Sequence, residues 1–176
     1  MPENYTSLET GEPFTHCCDC NCVLEDASMY IVNKAYSGDE CVFEFAMCLD
    51  CREALNAALS EKSRVAMFDF MHDNMDMEKR EEELGTDSPD DDYIAHCATC
   101  GKSKTDSASY SLGAMFQSHH MIKGPFPMLI CDDCEIKIAD TISEETRDTW
   151  DKFITENFPG PPSEVKLPSG SKPVLV

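Results

Sequence analysis

Two short stretches decide the reading: His16-Cys17-Cys18-Asp19-Cys20 and, 80 residues on, His96-Cys97-Ala98-Thr99-Cys100. Each is answered downstream by a second pair, Met47-Cys48-Leu49-Asp50-Cys51 and Ile130-Cys131-Asp132-Asp133-Cys134, now at an offset of 83. The likeness runs on past the cysteines. Ser60-Glu61 and Arg64 align with Ser143-Glu144 and Arg147, and Met67, Phe70, Met71 and Met75 align with Trp150, Phe153, Ile154 and Phe158. Such a string in the same order is the mark of an internal repeat. The change of offset puts three extra residues between the cysteine pairs of the second copy.

Each copy thus carries two C-x2-C pairs, separated by 27 residues in the first and 30 in the second. Four thiolates meet the tetrahedral, all-sulfur demand of a structural zinc ion. The expected ligands are Cys17, Cys20, Cys48 and Cys51 for one ion and Cys97, Cys100, Cys131 and Cys134 for the other. Among the crowded first cysteines, the neighbouring residue makes the choice. Asn21 and Gly101, each just after a pair, are residue types that readily take positive φ, as a metal knuckle requires at that point.

Between the pairs, Ser28-Met29-Tyr30-Ile31-Val32, a turn at Ser37-Gly38-Asp39-Glu40, and Cys41-Val42-Phe43-Glu44-Phe45-Ala46 read as a hairpin. A vaguer version surrounds Ser109-Tyr110-Ser111-Leu112 and Pro127-Met128-Leu129-Ile130. The second pair of each copy opens a helix, whose N-terminal dipole favours thiolates. A further helix is predicted to begin at Ser60 and at Ser143, each with an acid next to it in the first turn. Its apolar stripe is expected to pack against its own module.

The fold class is therefore small α+β and metal-stabilised: two tandem treble-clef zinc fingers of knuckle, β-hairpin and helix, each with a second helix after it. The organisation expected is a flexible N-terminus over 1–13, a first module over 14–75, an acidic linker over 76–93, a second module over 94–158 and a disordered tail over 159–176. The linker assignment rests on nine acids against two bases between Asp76 and Asp92. Modules of about 60–65 residues bury little, so zinc worth ~10–16 kcal/mol would decide whether they fold. As separate units, loss of Cys131 or Cys134 would unfold the second and spare the first.

The second copy resembles the four-cysteine zinc-binding domain at the N-terminus of the ClpX unfoldase. The resemblance is carried by Cys97-Ala98-Thr99-Cys100-Gly101-Lys102-Ser103, by Ile122-Lys123-Gly124-Pro125 and by Leu129-Ile130-Cys131-Asp132-Asp133-Cys134, roughly residues 95–145. It implies ligands at Cys97, Cys100, Cys131 and Cys134 in a module that self-associates, a homodimer included, and recognises adaptor or substrate proteins. The loop between the pairs is longer here, the first copy keeps only the cysteine frame, and no ATPase motor is expected.

Charge narrows the partners. With 34 acids against 14 Lys and Arg, a formal net charge of −20, phosphate-neutralising contacts with nucleic acid are disfavoured and a protein partner with a basic or mixed surface is expected. No apolar run is long enough for a membrane span. The polar, acidic N-terminus lacks the features of an export signal, so a cytoplasmic location is expected, where eleven reduced cysteines are at home. Gly101-Lys102-Ser103 lacks the first glycine of a P-loop, and Glu135 stands where a nuclease version of this arrangement would need His. His16, His96, His119 and His120 are read as outlying groups rather than ligands. The expected function is non-enzymatic, a zinc-binding adaptor or protein-interaction module. The surplus Cys18, Cys22 and Cys41 open the alternative of a redox-switched chaperone or thiol sensor that releases zinc on oxidation.

Overall fold

A computed structural model describes residues 1–85 and 87–158. The tail assigned to 159–176 lies outside the described residues. In chain order the strands and helices are β1 (Tyr30–Ser37), β2 (Glu40–Cys48), α1 (Leu49–Ala58), α2 (Glu61–Asn74), α3 (Met77–Glu83), α4 (Asp90–Tyr93), β3 (Ser109–Gln117), β4 (His120–Met121), β5 (Met128–Cys131), α5 (Asp132–Thr141) and α6 (Glu144–Asn157). All strands pair antiparallel in one sheet.

The first hairpin forms where the β-branched and aromatic residues of β1 and β2 flank a turn at Gly38, φ 59°. The second copy solves the same problem differently. Its strand β3 turns at Ser118 into the two-residue β4, and the chain then loops out and returns to the same edge of β3 as β5. Tyr30 pairs with Cys48 in the first half, and Tyr110 pairs with Cys131 in the second. The extra residues of the second copy are thus absorbed between the two strands, and the strand that leads into each helix keeps its register.

The free edges of the two hairpins are joined to each other. β1 pairs with β3 so that Tyr30 faces Phe116, Asn33 faces Gly113 and Tyr36 faces Tyr110. Shifting by the 80-residue repeat sends Tyr30 to Tyr110, Asn33 to Gly113 and Tyr36 to Phe116, so the pairing is its own image. A pseudo-two-fold axis passes between Asn33 and Gly113. The equivalent ring pairs on either side of it stack at 5.4 Å (Tyr30–Phe116) and 5.0 Å (Tyr36–Tyr110) between centroids. A Cβ at 113 would stand 3.5 Å from Asn33 Oδ1, an ordinary van der Waals contact, so the strands meet beside the Asn33 amide without steric demand for glycine.

The same axis governs the helices. Ser60 and Ser143 cap α2 and α6, their Oγ atoms accepting from the Ser63 and Thr146 amides. The caps interlock, with Ser60 Oγ 2.9 Å from Ser143 Oγ, the Ser143 amide donating to Ser63 Oγ at 2.8 Å and the Ser60 amide donating to Thr146 Oγ1 at 3.2 Å. Beyond the caps the helices reach into the opposite halves. α2 lies against α5, and from α6 Phe153 meets Phe45 while Phe158 meets both Phe43 and Phe45 of β2. The apolar stripes therefore form the seam between the copies, not a cover for each helix's own module. A half of this size encloses few large side chains, whereas the crossed arrangement buries Phe45, Trp150 and Phe153 and packs the part-buried Met67, Phe70 and Phe158 against the same core.

Two segments expected to be loose are held. In residues 1–13, Tyr5 is fully buried with its ring 5.7 Å from Phe116. Lys34, 1% exposed, pairs with Glu44 at 3.1 Å and donates to the Thr6 carbonyl, and Glu44 accepts from Ser7 Oγ and the Leu8 amide. A buried charge needs these partners, and supplying them fixes the N-terminal chain. The acidic stretch 76–93 is not simply a solvated linker either. Within it, Arg80 donates to the carbonyls of Tyr93, Pro125 and Pro127, and the buried Tyr93 donates from its hydroxyl to the Leu84 carbonyl at 2.6 Å. Most of the acids around these anchors remain exposed.

A sheet and a helical seam shared between the halves predict a single cooperative transition. Phe45→Ala, which removes the contacts to Phe153 and Phe158, is expected to cost about 3–5 kcal/mol. Denaturant unfolding monitored by Trp150 fluorescence and by circular dichroism will give coincident midpoints before and after the change; two separated transitions contradict the shared core.

Candidate metal centres

The repeat is most literal where the cysteines lie. In each knuckle the amide of the first cysteine donates to a carbonyl five residues on, Cys17 to Cys22 at 2.9 Å and Cys97 to Lys102 at 2.8 Å. The residue after the second cysteine is left-handed in both, Asn21 at φ 57° and Gly101 at φ 73°, as the sequence required. Each knuckle is tied to the strand entering its helix, through Cys18 N–H to the Ala46 carbonyl and Ala98 N–H to the Leu129 carbonyl. The second pair lies at the N-terminus of α1 or α5, with Cys48 and Cys131 at the N-cap positions.

These four elements gather the sulfurs. Cys17, Cys20, Cys48 and Cys51 have all their sulfurs within 4.8 Å of one another, and so do Cys97, Cys100, Cys131 and Cys134. The Cys20–Cys48 and Cys100–Cys131 sulfurs lie 3.8 and 3.5 Å apart, close to the ~3.8 Å edge of a tetrahedron with ~2.3 Å metal–sulfur bonds. All eight are free thiols. Both clusters are geometrically suited to hold a metal ion. No histidine belongs to either cluster among the described residues, and His16, His96 and His120 are exposed.

Amide donors are aimed at the first sulfur of each cluster. Cys48 N–H points at Cys17 Sγ at 3.4 Å and Cys131 N–H at Cys97 Sγ at 3.3 Å. Burial works against ionisation of Cys97, yet hydrogen bonds from Thr99 and from the amides of Cys131, Cys100 and Thr99 outweigh it and bring the thiol down to about 7. Cys20 also falls to about 7, led by the Cys22 amide and then by contacts with the Cys22 and Cys51 side chains. One sulfur in each cluster is thus lowered toward neutrality, while burial raises Cys48, Cys51, Cys131 and Cys134.

The halves differ just outside the sulfurs. In the second, Lys102 bonds Asp132 and Asp133, both at 2.8 Å, laying a cation across the start of α5. Those carboxylates are thereby engaged, although they stand next to Cys131. In the first half the equivalent of Lys102 is Cys22, and the helix start reads Leu49-Asp50. Desolvation, then contacts with Cys20 and Cys48, push the Cys22 thiol up to about 12, so it keeps its proton near neutral pH. Cys18 is part-buried beside its knuckle. Cys41 pairs with Tyr36 at the far end of the hairpin and does not fold back toward the cluster.

Sequence reasoning passed over Glu135 except as an absent histidine. It is 2% exposed, accepts a hydrogen bond from Ser111, and burial raises it to about 7, with Asp132 and Cys97 adding to the effect. A signal existed: position 135 lies four residues after Cys131 and three before Ile138, on the buried side of α5. No protein-family profile, curated protein or solved structure matches the chain.

Purified under reducing conditions, the protein is expected to hold two equivalents of divalent metal per chain by elemental analysis, and Cys100→Ala one. Glu135 yields a second expectation. Its folded pKa lies above the ordinary 4.5, so its contribution is fully present below about 4.5 and is lost as pH rises through about 7. Glu135→Gln should therefore stabilise the protein on the order of 3 kcal/mol at about pH 8, and the advantage over the native chain should shrink by about 1 kcal/mol at about pH 6. Denaturant unfolding at both pH values measures it.

Proposed function

We propose that the chain is a non-enzymatic, two-zinc protein that works by binding other proteins. In this reading each half is a treble clef, and zinc is the metal because a tetrahedron closed by four thiolates suits a structural zinc site. The observation that carries the proposal is the gathering of eight thiols into two such closed clusters at equivalent places in the repeat. A closed cluster has no open position for substrate, so it serves as a staple and the work falls to the surface. That surface is acidic, and each tetrathiolate zinc unit adds a further formal charge of −2. A partner with a basic or mixed face is the natural counterpart, steered by charge.

The sequence resemblance of the second half to the ClpX zinc-binding domain is in keeping with the same reading. Self-association is what that resemblance implies, and the two copies here meet about a pseudo-two-fold axis within one chain. The internal pairing stands in for a homodimer and leaves the outer faces for adaptors or substrate proteins. Free thiols in such number suit a reducing compartment, which supports a cytoplasmic location in this reading.

Cross-linking in native lysate, with mass-spectrometric mapping, tests this. The expected result is adducts to partner proteins on residues 14–158 that weaken with added salt and vanish when a chelator removes the metal. Adducts indifferent to metal removal, or confined to the two ends of the chain, would overturn it.

A further inference from the structure

We propose that Cys22 is a site of reversible thiol oxidation, closing a disulfide with Cys20 that opens the first four-cysteine cluster and leaves the second intact. The inference rests on the reading of both clusters as zinc sites. Three observations on the first half support it. Cys22 is a fifth thiol outside the four-cysteine cluster, and it lines the same surface cleft as Cys20, Cys48 and Cys51. Cys20 is exposed, at a surface cleft lined in part by Cys22, Val23, Met29 and Leu49. The turn through Asn21 keeps the two cysteines adjacent, with the Cys22 carbonyl held by the Cys17 amide at 2.9 Å.

The second half is a control that the molecule carries within itself. There the residue in the place of Cys22 is Lys102, held by Asp132 and Asp133. Residues 94–158 contain no cysteine beyond the four cluster members. An oxidised Cys100 would find no spare thiol waiting beside it.

The oxidant is hydrogen peroxide. The Cys20 sulfur attacks one peroxide oxygen, the O–O bond breaks, and Cys20 becomes a sulfenic acid while hydroxide leaves and is protonated to water. The Cys22 sulfur then attacks the Cys20 sulfur. The S–S bond forms, and the expelled hydroxide takes the Cys22 proton to give a second water. Each sulfur gives up one electron, and the two electrons cleave one peroxide bond. A sulfenate at Cys20 would still serve as a ligand, whereas a disulfide sulfur would not. Closing the Cys20–Cys22 bond would therefore remove one corner of the first cluster and free its ion. A dithiol reductant with fresh zinc reverses the change.

The test uses the full chain, reduced and metal-loaded, exposed to hydrogen peroxide beside a chromophoric zinc chelator. Metal content is measured first. Fewer than two equivalents at that point would sink the zinc reading itself, and this proposal with it. With both present, one equivalent is expected to leave in a fast phase, and peptide mapping should locate the new disulfide between Cys20 and Cys22. Cys22→Ala should slow that phase by about tenfold or more while retaining both ions at the start. Lys102→Cys should make the second equivalent fast as well, whereas Lys102→Ser, which removes the cation without adding a thiol, should not. A fast phase unchanged in Cys22→Ala, or disulfides found only among the eight cluster cysteines, overturns the proposal.

Discussion

The antiparallel pairing of β1 with β3 is the contact on which the rest of this structure depends. A hairpin of two strands beside one short helix exposes a sheet edge and encloses little. Here each hairpin offers its free edge to the other, so the edge is satisfied and the sheet becomes wide enough to carry helices. The register is set at the centre by Asn33 opposite Gly113 and flanked by the stacked pairs Tyr30–Phe116 and Tyr36–Tyr110. Once that register is chosen, Ser60 and Ser143 come face to face, and α2 and α6 can cap each other and cross. The thiol clusters then act on a frame that already joins both halves.

A symmetric frame permits asymmetric chemistry. The knuckles repeat almost bond for bond, from the left-handed residue after the second cysteine to the amide aimed at the first sulfur. The residues that surround them have diverged. Lys102 with its two aspartates flanks one cluster, while a fifth cysteine, Cys22, takes that place beside the other. Glu135 is buried in α5, and its counterpart Arg52 sits half-buried on α1. Residues that hold the tetrahedra are constrained by geometry, whereas those one step away are free to set charge and reactivity.

Much of the fold and of both clusters is legible from residue types and spacing. The cysteine pairs, the positive φ at Asn21 and Gly101, the N-caps at Ser60 and Ser143 and the first hairpin all obey local rules, because turns, caps and knuckles are decided by residues a few positions apart. Composition alone makes the N-terminal stretch and the acidic segment look loose. Each is instead fixed by single long-range anchors, Tyr5 with Lys34 and Arg80 with Tyr93, that no local pattern announces.

By itself, then, the order of residues determined that there are two copies, which cysteines gather in each, and where the first hairpin and the helices α1, α2, α5 and α6 begin. Only the tertiary structure decided that the copies share a sheet, that each apolar stripe packs across the seam, and that Cys22 sits beside one cluster while Cys41 lies far from it. The reason is physical: periodicity identifies an apolar face without naming what covers it. Which surface does so is chosen by the total area buried and by the pairing of an exposed strand edge, quantities that exist only when both halves are present together.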